Sequence, residues 1–287
     1  MTDIERKVLA CVDFSAYAEH VTDCAAWAAN RLQAPLEILH VIDRHPERGA
    51  TGDRSGALTV NAEEHLLKNL SDEDAIRTRA EREQGRLFLN TLRERAVRAG
   101  AEPVDTRQRH GALEETLVEH QTLARLVVLG RRGLSSTGHR ELGRSVQWTV
   151  RSLRRPVLAV TDRFAPPRRV LIAFDGSSIT RTAVDMVAAS PLFTGLPVYV
   201  LMVGKASADA PRQLEWARSR LDKAGFGVVA EVQSGDLETV VGQAIARHGI
   251  DMLVMGAYTH SPLRGLLLGS KTTDLLRSVT VPTLLLR

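Results

Sequence analysis

The chain runs through one pattern twice, and no other feature constrains its fold as strongly. The stretch "KVLACVDFSAYAEHVTDCAAWAANRLQAPLEILHVID" near the start is answered by "RRVLIAFDGSSITRTAVDMVAASPLFTGLPVYVLMVG" in the second half. Each is a basic entry, an apolar strand ending in Asp, a Ser cap, a helix and a second apolar strand. Asp13 to Val41 is 28 positions, and Asp175 to Val203 is again 28. The later parts repeat too: "LVVLGRRGLSSTGHRELGRSVQWTVRSLRRPVLAV" lies over "MLVMGAYTHSPLRGLLLGSKTTDLLRSVTVPTLLL". Gly130 to Gly143 and Gly256 to Gly269 both span 13 positions, as do Gly143 to Pro156 and Gly269 to Pro282. Matched intervals at several landmarks mark a duplicated domain.

The copies differ mainly in the middle. Asp13 to Gly130 spans 117 positions and Asp175 to Gly256 spans 81, so the first copy carries an insertion of about 36 residues, around 46–84. The insertion is polar at first and then helical in character. Residues 1–163 are expected to form the first domain and 164–287 the second, with Asp162–Arg169 as a proline-stiffened linker. Each copy reads β-α-β-α-β-α-β-α-β. Runs such as Leu36–Ile42 and Met252–Met255 are apolar on both faces, as parallel strands covered by helices must be. The expected fold is α/β, with two tandem doubly wound parallel sheets. The segments "VLAV" and "TLLL", after Pro156 and Pro282, read as the edge strand of each copy.

In doubly wound sheets, ligands bind beyond the carboxyl ends of the strands, where strand order reverses. Asp13 and Asp175 end the first strand of each copy, Val41 and Val203 end the second, and a glycine loop follows the fourth. The first-copy loop is Gly130-Arg131-Arg132-Gly133, nine residues, then Gly143-Arg144-Ser145. Glycine lets backbone N–H groups approach phosphate oxygens and tolerates positive φ. Ser145 adds a hydroxyl, and the following helix adds the positive end of its dipole. In the second copy Thr259 stands in place of the middle glycine, between Gly256 and Gly269. The run "GLLLGSKT" is no Walker loop: it has three residues between glycines, and Ser270 precedes Lys271. Lys271 remains a candidate phosphate neighbour at a helix start.

On these residues the chain resembles a tandem universal stress protein, over nearly its whole length apart from the insertion and the linker. The resemblance implies strand order 3-2-1-4-5 in each domain, pseudo-twofold packing of the halves through strands such as "VLAV" and "TLLL", and homodimers. It implies an adenine nucleotide (ATP, AMP or ADP, with Mg2+ as companion ion) held by G-x2-G-x9-G-[ST]. Asp13 and Asp175 would contact the adenosine, and the backbones of Val41 and Val203 the adenine edge. Gly130, Gly133, Gly143 and Ser145 would cradle phosphates in one copy, and Gly256, Gly269 and Ser270 in the other. Arg144 departs from the pattern, standing where Ser or Thr should follow the last glycine, and it either pairs with phosphate or obstructs it.

Other readings compete with these. Asp13 and Asp175 would serve equally as helix caps, and His40 reads as a packed core histidine. Glu63, Glu64 and His65 are adjacent on one helix and do not converge on a metal. No activated nucleophile or carboxylate–histidine pair recurs at a useful spacing, so hydrolysis is expected to be slow at most. A scaffold of the same fold with decayed sites is the alternative function. Lys and Arg number 38 against 34 acidic residues, and no nucleic-acid-binding spacing occurs, so nucleic acid is not an expected partner. Cys11 and Cys24 read as reduced core thiols. With no secretory h-region and no apolar run near the ~18 residues of a membrane span, a soluble, cytoplasmic protein is expected.

Overall fold

The computed structural model describes residues 6–42, 60–134, 142–204, 208–257 and 270–287, with side chains for all of these except 60–75, 77, 270 and 271. The first copy contains β1 (Lys7–Val12), α1 (Ala18–Leu32), β2 (Leu36–Ile42), α2 (Val60–Arg98) and β3 (Val104–His110). It continues with α3 (Leu113–His120), β4 (Ala124–Gly130), α4 (Arg144–Ser152) and β5 (Val157–Val160). The second repeats the order with β6 (Val170–Ala173), α5 (Ser178–Ala189), β7 (Val198–Val203), α6 (Ala210–Asp222) and β8 (Val228–Gln233). It closes with α7 (Leu237–His248), β9 (Met252–Gly256), α8 (Ser270–Ser278) and β10 (Thr283–Leu286). Local chemistry explains the joints. Helix α1 is rich in alanine and stops where Gln33 turns left-handed, its N–H reaching back to the carbonyls of Ala29 and Asn30. From Val60 on, the insertion extends α2 at its N-terminus, so that the helix has 39 residues against 13 in its counterpart α6.

All ten strands form one sheet in the order β3-β2-β1-β4-β5-β10-β9-β6-β7-β8. Each half therefore has the order 3-2-1-4-5 and is parallel throughout. The two "edge" strands pair with each other: β5 and β10 run antiparallel, with Leu158 opposite Leu284, Val157 opposite Leu285 and Ala159 opposite Thr283. Since Pro156 and Pro282 are equivalent in the repeat, Leu158 faces its own counterpart. The pseudo-twofold axis passes between these two leucines. Two apolar layers cover the sheet, and each runs across both halves: Val8, Ile38, Ile172 and Leu284 share one, Leu9, Val127, Leu253 and Leu285 the other. Among the described residues no helix is long and apolar enough to cross a membrane.

Side chains reinforce the join. The ring of Trp27 in α1 lies 6.1 Å from that of Phe164 in the linker. The guanidinium of Arg31 donates to the carbonyl of Leu192 at 3.2 Å and to that of Thr194. Arg131, just past β4, is buried and donates to the carbonyls of Leu276 (2.9 Å) and Val279 at the carboxyl end of α8. Burial lowers the pKa of Arg131, and neighbouring Arg132 adds to the effect. The negative end of the helix dipole and its unpaired carbonyls supply the compensation. The equivalent residue in the second copy is Ala257, which has no such reach. Replacing Arg131 with Ala strips partners from these buried carbonyls and is expected to cost about 1–3 kcal/mol, read as a fall in the denaturation midpoint of the full chain.

Candidate functional site

In the first half the chain leaves β1 for β2 on one side and returns to β4 on the other. The connections out of β1 and β4 therefore diverge, and a crevice opens at the carboxyl ends of the strands. A cavity of about 740 Å³ lies there, within the range of small-molecule sites. Asp13, Val41, Gly130, Gly133, Gly143 and Ser145, drawn from four separate segments, all line it.

The glycine loop is locked onto the end of β1 by Asp13. One carboxylate oxygen accepts the N–H of Ser15 at 3.1 Å, and the other accepts the N–H of Leu134 at 3.0 Å. A Cβ on Gly133 would sit 2.6 Å from Oδ2 of Asp13. One on Gly130 would sit 2.9 Å from the Cβ of Tyr17. The N–H of Gly143 donates to the carbonyl of Arg131 at 3.0 Å, folding the loop back so that Gly143 caps α4. None of these three glycines has positive φ. Of the two properties glycine offers here, close approach is the one used: the residues are small because other groups pass too close. Asp13 does not cap α1, whose N-cap is Tyr17 without a side-chain hydrogen bond. It spans the strand end and the loop instead.

Arg144 and Ser145 open α4 at the rim, with Arg144 exposed and Ser145 half-buried, so the arginine borders the cavity without filling it. Arg132 also lines the cavity and donates to the hydroxyl of Tyr17 at 3.4 Å. The lining thus carries the cations of Arg132 and Arg144 and the carboxylates of Asp13, Glu81 and Glu114. The rest of the lining is different in character. His40 is buried, 3% exposed, and its Nδ1 lies 3.0 Å from the carbonyl of Val12. Its ring contacts Phe14 and Phe88. The packed-histidine reading is right about burial, but His40 also lines the cavity. Thr78, Glu81 and Gln84 add a wall from α2. These residues fall in the insertion, which had no assigned role, and only the packing of α2 along β2 and β3 brings them to the site. No group of three or more His, Cys, Asp or Glu side chains among the described residues is placed to share a metal ion. The side chains of Glu63, Glu64 and His65 fall outside the described residues.

In the second copy Asp175 follows β6 and accepts from the N–H of Ser177 at 2.9 Å and the hydroxyl of Thr180 at 2.8 Å. Ser177 is the N-cap of α5, accepting from the N–H of Thr180. Val203 ends β7 and Gly256 ends β9, where a Cβ would lie 2.9 Å from Cγ2 of Ile179. Thr259 and Gly269 lie outside the described residues. So do the side chains of Ser270 and Lys271, whose backbone opens α8.

The universal stress protein family model matches residues 5–161 and again 167–287. The chain belongs to the universal stress protein family. A universal stress protein from Synechocystis is 31% identical over 288 residues, with 98% of this chain and 100% of that protein covered. The crystal structure of a universal stress protein from Archaeoglobus fulgidus superposes with a TM-score of 0.72 at 16% identity, over 100% of this chain and 99% of that one. A functionally unknown protein from Pseudomonas aeruginosa gives 0.62 at 16% identity, over 98% and 92%. Both structures share the tandem fold at identities that speak to the fold alone.

Two outcomes follow for the strand-ending aspartates. Gly133→Val drives its side chain into Asp13 and is expected to cost about 1–3 kcal/mol in a denaturant melt, mostly by displacing the loop. The carboxyl of Asp175 is held below its ordinary range: burial alone would raise it, but the hydrogen bonds from Ser177 and Thr180 outweigh that. A lowered native pKa stabilises above the unfolded value and loses that contribution as pH falls through the native one. Asp175→Asn is therefore expected to cost about 0.5 kcal/mol at neutral pH, a small effect because water still reaches and screens this partly covered carboxylate. The gap to the parent should close in acid, as read by thermal melts across pH.

Proposed function

We propose that the first copy's cavity holds an adenine nucleotide (ATP, ADP or AMP) and that the chain acts in stress response as a nucleotide-responsive regulator of protein partners. The observation that carries this reading is the convergence of Asp13, Val41, Gly130, Gly133, Gly143 and Ser145 on one cavity at the strand-order reversal. These are the positions at which the family's nucleotide-binding pattern would place adenosine and phosphates. The cations of Arg132 and Arg144 stand at the glycine-loop end, where phosphates would lie beside the start of α4. Mg2+ would come with the nucleotide, held chiefly by phosphate oxygens and water. No side chain is assigned a hydrolytic role. Signalling would run through ligand-dependent shape rather than turnover.

The free, buried thiols of Cys11 and Cys24 fit a reducing compartment, and burial pushes Cys11 up to about 12, out of reactive range. We place the protein in the cytoplasm on that basis. The strands expected to mediate domain pairing, β5 and β10, are engaged with each other inside one chain. A homodimer would use another surface.

The test begins with denaturing freshly purified protein and identifying any released adenine nucleotide by chromatography, followed by calorimetric titration with ATP and AMP. Arg144→Glu, at an exposed position, is expected to weaken ATP by about tenfold, about 1.4 kcal/mol, and AMP by less, because fewer phosphate charges are repelled. A parent protein that releases no nucleotide and gives no heat with ATP would leave the scaffold reading in its place.

A further inference from the structure

The two copies differ at the residue that follows the strand-ending Asp, Phe14 in the first and Gly176 in the second. Phe14 lines the cavity and keeps 41% of its surface exposed, unusual for a ring in so apolar a setting. It is braced from behind. The ring of Phe88, from α2, lies 4.5 Å away at 40°, and that of His40 meets Phe14 edge-on at 4.9 Å. His40 and Phe88 in turn are 5.5 Å apart, and His40 is held by the carbonyl of Val12. Three rings thus hold one another at an aromatic's preferred separations, and one of them turns toward the open space.

Each member of this trio has a counterpart in the second copy. Phe14, next to Asp13, corresponds to Gly176, next to Asp175, and His40 corresponds to Met202, each just before the strand-ending valine. Helix α2 aligns with α6 by its buried face, Leu89, Leu92 and Ala96 over Leu214, Ala217 and Leu221. Both helices end two or three residues before a positive-φ glycine, Gly100 or Gly225. In that register Phe88 corresponds to Gln213, and the Gln213 amide lies over Gly176, where a Cβ would otherwise stand. The same contact is made in both copies, as ring on ring in the first and as amide on bare backbone in the second. Gly176 also has φ +76, a conformation that disfavours a phenylalanine there.

We propose that Phe14 is a stacking platform for a nucleobase, braced by Phe88 and His40, and that it confines base-dependent binding to the first of the two copies. An accessible aromatic ring in the cavity wall is what a planar base can stack on, and stacking of this kind is tolerant of base identity. The second copy offers a flexible amide at the same place. The inference rests on the nucleotide reading above, and it adds which copy reads the base and through which side chain.

The test uses full-length protein titrated with ATP and, by competition, with inorganic tripolyphosphate, which carries the phosphates without the base. Phe14→Leu keeps apolar bulk but removes the ring. It is expected to weaken ATP by about 5- to 100-fold while leaving tripolyphosphate unchanged, and Phe14→Tyr should restore ATP to near the parent value. A Phe14→Leu protein that binds ATP as the parent does overturns the platform. So does one that loses ATP and tripolyphosphate in equal measure, because Phe14 would then support the cavity as a whole. A parent that binds no ATP removes the nucleotide reading itself, which is a separate outcome.

Discussion

The antiparallel pairing of β5 with β10 is the interaction on which the rest of the structure depends. Each doubly wound half ends in a strand whose outer edge has unsatisfied N–H and C=O groups, and an apolar edge of this kind is costly in water and prone to aggregate. Duplication in one chain supplies a complementary edge a short linker away. With Leu158 set against its own counterpart Leu284, one local twofold converts two five-stranded sheets into one of ten. The apolar layers above and below then become continuous, so the halves share their cores.

That symmetry is not carried through to the side chains. Arg131 crosses the join and satisfies carbonyls at the end of α8, whereas Ala257 cannot return the contact. The glycine loop of the first copy is therefore tied to the second half, and its cavity gains a further wall from the extended α2. The aromatic trio of Phe14, His40 and Phe88 follows the same logic, since its counterparts are a glycine, a methionine and a glutamine. A duplicated frame preserved by backbone pairing leaves side chains at its two crevices free to diverge.

Much of this was legible in the residues. Spacing alone showed the duplication, and apolar runs read on both faces called for parallel strands. The landmarks Asp13, Val41, Gly130, Gly133, Gly143 and Ser145 could be named because a strand end, a helix start and the close approaches between them demand particular residue types. The reason for the glycines was less accessible. Close approach and positive φ call for the same residue type, and the groups that pass close include Asp13 at Gly133 and Tyr17 at Gly130, residues more than a hundred positions away, beside nearer backbone such as the Arg132 carbonyl. Phe14 and Phe88 escaped notice for the same reason: neither belongs to a motif, and their meeting depends on how α2 lies across the strand ends.

The sequence by itself determined the two-copy architecture, the order of elements and the positions at which each chain reversal would gather small and acidic residues. These follow from local periodicity, steric demands and repetition, all of which are written in neighbouring residues. Only the tertiary structure decided the register in which the edge strands meet, that Arg131 braces one half against the other, and that the first crevice is walled by a helix and lined by aromatic rings. Such contacts join residues far apart in the chain, and their geometry exists only once the sheet has closed.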